Sequence, residues 1–183
     1  MNNQILLHAC CAICAGHPIN LLKSEGFEPI VYYFNPNIYP SEEYQKRYNA
    51  LKTLCDHFSC KLISEEYKPE KYQELMIGYE KHKEGSERCK RCIEYRLLAS
   101  AKKAKELGIE KYTTTLSSSP HKNFEIINNI GKFIAQYYEL EFLDYNFKKQ
   151  DGFLKTTQIA KELNLYRQNY CGCDMSIKRI LQS

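Results

Sequence analysis

Seven of the nine cysteines fall into three clusters: Cys10, Cys11 and Cys14; Cys89 and Cys92; Cys171 and Cys173. Cys55 and Cys60 stand apart. In a chain with no secretory features, thiols at this density bind metal or do redox work more often than they form structural disulfides. Four thiolates suit a [4Fe–4S] cluster. Three then remain for another metal, a redox disulfide, or both. The adjacent pair Cys10 and Cys11 would make a strained disulfide, so shared ligation of a polynuclear cluster suits it better. Cys89-x-x-Cys92 alone fits a structural zinc knuckle as well as an iron–sulfur site. A zinc ribbon, however, pairs two C-x-x-C motifs and has no use for C-C-x-x-C with C-x-C. Cys171-Gly172-Cys173 reads as a labile thiol pair, set apart from thioredoxin-like motifs by its one-residue spacer. Cys55 and Cys60 read as small buried hydrophobes.

Other residues near these clusters have ordinary uses as well. His8 and His17 flank the first cluster and are candidates for ligands or proton donors, although such residues more often satisfy local hydrogen bonds. Asp174 suits the N-cap of a last helix, and as a carboxylate beside thiols it is also a metal-ligand or proton-donor candidate. With 15 Tyr and no Trp, the aromatic content is mostly packing. Tyr33 and Tyr39, around the Asn35-Pro36-Asn37 turn, are the best candidates for stacking on a nucleobase. The net charge of +4, with local concentrations at Lys102, Lys103, Lys105, Lys148, Lys149, Lys178 and Arg179, permits RNA binding without demanding it.

These clusters need a scaffold, and the hydrophobic pattern supplies one. Ile5 to His8 and Pro29 to Phe34 read as strands. Between them a helix through Ile19, Leu21 and Leu22 stops near Gly26, with Pro18 in its first turn. A second helix opens with Ser41 as N-cap, followed by a short strand at Lys61 to Ser64. Ile93, Leu97, Ala101, Ala104 and Leu107 form one apolar stripe that ends where Gly108 suits a C-cap, placing Cys89 and Cys92 just before that helix. Tyr112 to Leu116 and Glu141 to Asp144 read as strands around a helix from Phe124 to Tyr138. A polar, turn-prone stretch follows, and a short terminal helix is expected from Met175 to Leu181. The alternation implies an α/β fold with a mainly parallel sheet flanked by helices, in a single domain over residues 1–183. Each cysteine cluster then lies at the end of a strand or the start of a helix, where such sheets place their sites. With no signal peptide and no run near the roughly 20 apolar residues of a membrane span, a soluble cytoplasmic protein is expected.

Five segments carry a family resemblance. They are His8-Ala9-Cys10-Cys11-Ala12-Ile13-Cys14; Asn35-Pro36-Asn37-Ile38-Tyr39-Pro40; Arg88-Cys89-Lys90-Arg91-Cys92 running into Arg96-Leu97; Thr113-Thr114-Thr115-Leu116 with Ser119-Pro120; and Leu165-Tyr166-Arg167-Gln168-Asn169-Tyr170-Cys171-Gly172-Cys173. Together, over nearly the whole chain, they resemble the QueH-type epoxyqueuosine reductases. The resemblance implies a fold related to the nucleotide α-hydrolase (HUP) group. It also implies two-electron removal of the epoxide oxygen from epoxyqueuosine at the tRNA wobble position, giving queuosine and water. By the same resemblance Cys10, Cys11, Cys89 and Cys92 match [4Fe–4S] ligands and Cys171 with Cys173 the redox-active pair. Cys14 stands where a ligand to a second iron or other metal is expected. The partners implied are tRNA carrying epoxyqueuosine and an electron donor whose identity the sequence does not give. Absence of a phosphate loop after the first strand argues against ATP use. The same thiolates and lysines also suit a zinc-stabilised, non-enzymatic RNA-binding domain, and the thiols alone a metal-free thiol–disulfide oxidoreductase.

Overall fold

The computed structural model describes residues 3–149 and 151–176. Strands β1 (Gln4–His8), β2 (Glu28–Tyr33), β3 (Leu62–Ser64), β4 (Lys111–Thr114) and β5 (Glu141–Phe142) form one all-parallel sheet in the order β3-β2-β1-β4-β5. The helices are α1 (Ala12–Ser24), α2 (Ser41–His57), α3 (Pro69–Leu75), α4 (Glu87–Glu106), α5 (Phe124–Tyr138) and α6 (Gly152–Glu162).

Alternate strand residues feed two separate cores, as the period of two along a strand requires. Ile5, Leu7, Val31 and Tyr33 pack with Ile19 and Leu22 of α1 and Leu51 and Leu54 of α2. Leu6, Ile30, Tyr32 and Tyr112 pack with Ile93, Leu97 and Ala101 of α4 and Ile134 of α5. Both sheet faces are therefore covered, which is why the central strands read as continuous apolar runs. Strand order reverses between β1 and β4, and the crevice beyond their carboxyl ends is where such sheets bind ligands. Cys10 and Cys11 follow directly from β1 into that crevice.

Several boundaries differ from the sequence expectation. Helix α1 begins at Ala12, so Pro18 lies inside it rather than in its first turn. A proline lacks the N–H that would bond the carbonyl four residues back. That carbonyl belongs to Cys14, and it is satisfied instead by the Ser118 hydroxyl at 3.0 Å. Pro40, not Ser41, occupies the N-cap of α2. Cys89 and Cys92 lie within the first two turns of α4, not ahead of it, because the buried face runs back through Arg88. After Thr114 the chain tightens into a 3₁₀ turn at Thr115–Ser118, and β5 is limited to two residues. The stretch expected to be turns contains α6. Its Ile159 fits against Gly16 of α1, and Thr156 accepts a hydrogen bond from the His17 backbone N–H at 3.1 Å. Beyond Ser176 the expected terminal helix lies outside the described residues.

His8, fully buried at the end of β1, bonds Thr114 Oγ1 through Nδ1 at 2.9 Å and the Phe34 carbonyl through Nε2 at 3.2 Å. Burial, reinforced by the Arg96 charge, lowers its pKa to about 4. A depressed histidine pKa means that the unfolded chain takes up a proton before the native one does. The native state therefore holds its full stability above about pH 6.5 and loses it as the pH falls from there toward 4. The difference is worth on the order of 3 kcal/mol. Urea denaturation of the metal-free protein at pH 7 and pH 5 should show a lower midpoint at pH 5, and His8→Gln should flatten that difference.

Candidate metal centre

Cys11 is the N-cap of α1, in extended backbone, and Cys14 lies three residues on, which places both on one helix face. The Cys10 and Cys11 sulfurs are 3.8 Å apart. The sulfurs of Cys10, Cys11 and Cys14 all lie within 4.8 Å of one another, and among the described residues this is the group of metal-ligating atoms so gathered. Thr115, just past β4, brings its hydroxyl to 4.0 Å from Cys10. The trio therefore sits at the β1/β4 reversal, with α1 and the 3₁₀ turn tied together through the Ser118–Cys14 bond.

Three thiols this close cannot ionise independently. Hydrogen bonding with Cys11 and Cys14 holds Cys10 well below the ordinary thiol range against the opposing effect of burial, and Arg96 adds to the lowering. The other two thiols move the other way: Cys11 is pushed up to about 12 and Cys14 well above its ordinary value. Cys10 is thus the most readily ionised thiol of the set. A thiolate is the metal-binding form of cysteine, and a bound metal would displace the remaining thiol protons.

The positive charge around the trio was not apparent as a site in the sequence. Arg96 of α4 is 2% exposed, and its Nε donates to the Cys92 carbonyl at 3.2 Å. Burial works against its charge, but Cys92, Cys10 and Cys171 outweigh burial and raise its pKa. Arg88, Cys92, Arg96 and Ser100 are all buried on α4, and their spacing of four is the signal that marks them as one face. Cys92 packs with Tyr72 and Met76, whereas half-buried Cys89 accepts a bond from the Gly85 N–H at 3.2 Å. Neither joins the 4.8 Å group, although Cys92 and Cys10 share the field of Arg96.

The last cysteine pair is held over the site by α2. Buried Arg47 is fixed by Glu43 at 2.7 Å and donates to the carbonyls of Tyr170 at 3.0 Å and Cys171 at 3.2 Å. Gly172 has φ +112, and a Cβ there would come within 3.0 Å of Arg47 and Ile38. Glycine is thus required by both conformation and space. Cys171 is half-buried, with the Lys122 ammonium 3.4 Å from its sulfur. Cys173 is buried, and burial raises its pKa. The two thiols differ accordingly: one faces a cation and is accessible, the other is enclosed.

Tyr33 does not serve as a stacking surface. It is wholly buried against α2, its hydroxyl donating to the Tyr44 carbonyl at 2.9 Å, whereas Tyr39 is exposed and its N–H donates to the Gly172 carbonyl at 2.7 Å. Cys55 is buried in the first core and Cys60 packs against it, as expected. Among the described residues no helix is long and apolar enough to cross a membrane.

Comparison with known proteins places this arrangement in context. The protein is similar in fold to a crystal structure described as a predicted subunit of tRNA methyltransferase from Methanocaldococcus jannaschii, with a TM-score of 0.56 over 86% of this chain and 75% of that one at 13% identity. In sequence it is 38% identical over 176 residues to the epoxyqueuosine reductase QueH of Thermotoga maritima, covering 94% of this chain and 90% of the relative. It is 34% identical over 181 residues to that of Streptococcus pyogenes serotype M1, covering 96% and 71%. The family model described as epoxyqueuosine reductase QueH matches residues 5–179, nearly the whole chain, and the chain belongs to that family.

Proposed function

We propose that this chain, as one cytoplasmic domain spanning residues 1–183, reduces the epoxide of epoxyqueuosine in tRNA to the alkene of queuosine. The observation that carries the reading is the trio of Cys10, Cys11 and Cys14 at the sheet's reversal point, in a chain of the epoxyqueuosine reductase family. The donor set fits an iron–sulfur group: sulfur ligands only, one already favoured as thiolate, with Arg96 to balance an anionic cluster. In this reading Cys10, Cys11, Cys89 and Cys92 hold a [4Fe–4S] cluster and Cys14 serves a second metal. When bound, that group supplies electrons one at a time and an electrophile for the epoxide oxygen.

Loss of the epoxide oxygen takes up two electrons and two protons, releasing water and leaving a carbon–carbon double bond. Oxidation of the Cys171/Cys173 dithiol to a disulfide releases two electrons and two protons, so the pair balances the reaction, and an external donor must then reduce the disulfide. Cys171, accessible and beside Lys122, is the thiol that meets substrate or electron acceptor, and enclosed Cys173 closes the disulfide. Lys122 holds the Cys171 sulfur and can return a proton to the departing oxygen.

Lysines around the crevice, Lys148 among them, would contact phosphates. Affinity for tRNA should therefore fall steadily as salt rises, with a linear log–log dependence measurable by filter binding. A salt-independent Kd would contradict this mode of binding. The activity itself is tested with anaerobic protein reconstituted with iron and sulfide. Under a strong reductant it should convert epoxyqueuosine-bearing tRNA to queuosine-bearing tRNA, and unchanged tRNA would remove the substrate assignment. A colourless, zinc-loaded preparation that still binds tRNA but refuses iron would favour the structural-zinc reading instead.

A further inference from the structure

We propose that Gln168 is a positioning residue of the metal centre, whose side-chain amide donates a hydrogen bond to the Cys11 sulfur and thereby raises the reduction potential of the cluster held there. The inference rests on the reading of Cys11 as a cluster ligand.

Gln168 Nε2 lies 2.8 Å from Cys11 Sγ, a contact between residues 157 positions apart in the chain. The other amide atom, Oε1, is buried and has no hydrogen-bond partner. Leaving a buried amide oxygen unsatisfied is unfavourable. The orientation is nevertheless the one a metal site demands. A metal-bound cysteine sulfur carries no proton and can only accept, so the amide must present its N–H. Turned over, the amide would set its carbonyl oxygen against the thiolate, acceptor facing acceptor.

The segment that carries Gln168 is also clamped. Arg47, itself fixed by Glu43, holds the carbonyls of Tyr170 and Cys171. The Tyr39 N–H holds the Gly172 carbonyl at 2.7 Å, and the Arg47 guanidinium lies over the Tyr170 ring at 5.2 Å. Two and three residues beyond Gln168, then, the backbone is pinned to α2, and the glutamine reaches Cys11 from a fixed base. A hydrogen bond to a ligating sulfur withdraws electron density from it and stabilises the reduced, more negative cluster. The segment that ends in the Cys171/Cys173 pair would thus also tune the cluster with which that pair exchanges electrons.

The test compares wild type, Gln168→Leu and Gln168→Lys, each reconstituted anaerobically with iron and sulfide, assayed for both elements, and titrated spectroelectrochemically. Full loading in all three is expected, with the midpoint of the Leu variant shifted to more negative potential and that of the Lys variant, which retains an N–H donor, not shifted in that direction. A fully loaded Leu variant with the wild-type midpoint would overturn the proposal. If the Leu variant loads poorly and the Lys variant loads fully, the donor role is supported, since the two differ in the donor. Poor loading in both would overturn it in favour of a packing role. Wild-type protein that takes up no iron and sulfide would overturn the ligand reading beneath it, and the proposal with it.

Discussion

Replacing Cys171 and Cys173 together by alanine is expected to abolish turnover while leaving the iron–sulfur absorbance of the reconstituted protein intact. The two sulfurs lie on the Arg47-clamped segment rather than in the trio, and neither residue belongs to the two large cores that hold the sheet. Their removal therefore deletes the proposed two-electron store without removing proposed cluster ligands or core packing. The single variants should separate the roles. Cys171→Ala removes the accessible thiol beside Lys122, and Cys173→Ala leaves a thiol that can be trapped as a mixed disulfide but cannot close the ring. Anaerobic single-turnover assays with absorbance monitored in parallel check this. Undiminished turnover in the double variant would end the dithiol role.

The second large effect is expected at the other end of the chain. Cys10→Ala should lower bound iron by more than about tenfold, since even partners of metal ligands cost 10–100-fold in affinity when lost and a ligand should cost at least as much. Cys10 is the trio's most readily ionised thiol, through hydrogen bonding with Cys11 and Cys14 and the charge of buried Arg96. Its loss removes the anionic anchor and leaves two thiols that each resist ionisation. Cys55→Ala is the matched control: it lies in the first core, away from the site, so it should cost stability and spare iron binding. Iron and acid-labile sulfide analysis of the two variants side by side gives the answer. Equal loading in Cys10→Ala and wild type would remove Cys10 from the ligand set.

Where local pattern and tertiary packing agree, the sequence was legible. The stripe through Ile93, Leu97, Ala101 and Ala104 is the buried face of α4, and Gly108, with φ +67, follows its C-terminus as the pattern required. Helix α5 runs from Phe124 to Tyr138 as expected, capped by the Asn123 side chain on the Ile126 N–H. The parallel sheet followed from apolar strands alternating with helices. What escaped is what depends on contacts distant in sequence. Helix α6 exists because Ile159 and Thr156 find α1, and Pro18 is tolerated within α1 because Ser118, a hundred positions on, takes up the Cys14 carbonyl.

The site shows the same division. Cys10, Cys11 and Cys14 were legible as a cluster from their closeness in the chain, although the helix that carries Cys14 was expected to begin later. Cys89 and Cys92 were placed just ahead of their helix, because the apolar stripe from Ile93 gave no sign that Arg88 and Arg96 extend the buried face. Buried arginines carry no local signature; only their four-residue spacing with Cys92 betrays a common face. Arg47, Lys122 and Gln168 are likewise invisible in isolation, since each acquires meaning through a partner more than 40 residues away: the Cys171 carbonyl, the Cys171 sulfur and the Cys11 sulfur.

This cysteine site is expected to perform a reduction when loaded with iron and sulfide. That expectation is tested most directly by mass spectrometry of nucleosides digested from epoxyqueuosine-bearing tRNA after anaerobic incubation with the protein and a strong reductant. Protein loaded with iron and sulfide is compared with the same protein loaded with zinc. The modified nucleoside is expected to lose the mass of one oxygen atom with the iron–sulfide form and to be unchanged with the zinc form, because Zn²⁺ has no redox chemistry to offer. Equal conversion by both forms, or no conversion by fully loaded protein, would contradict it.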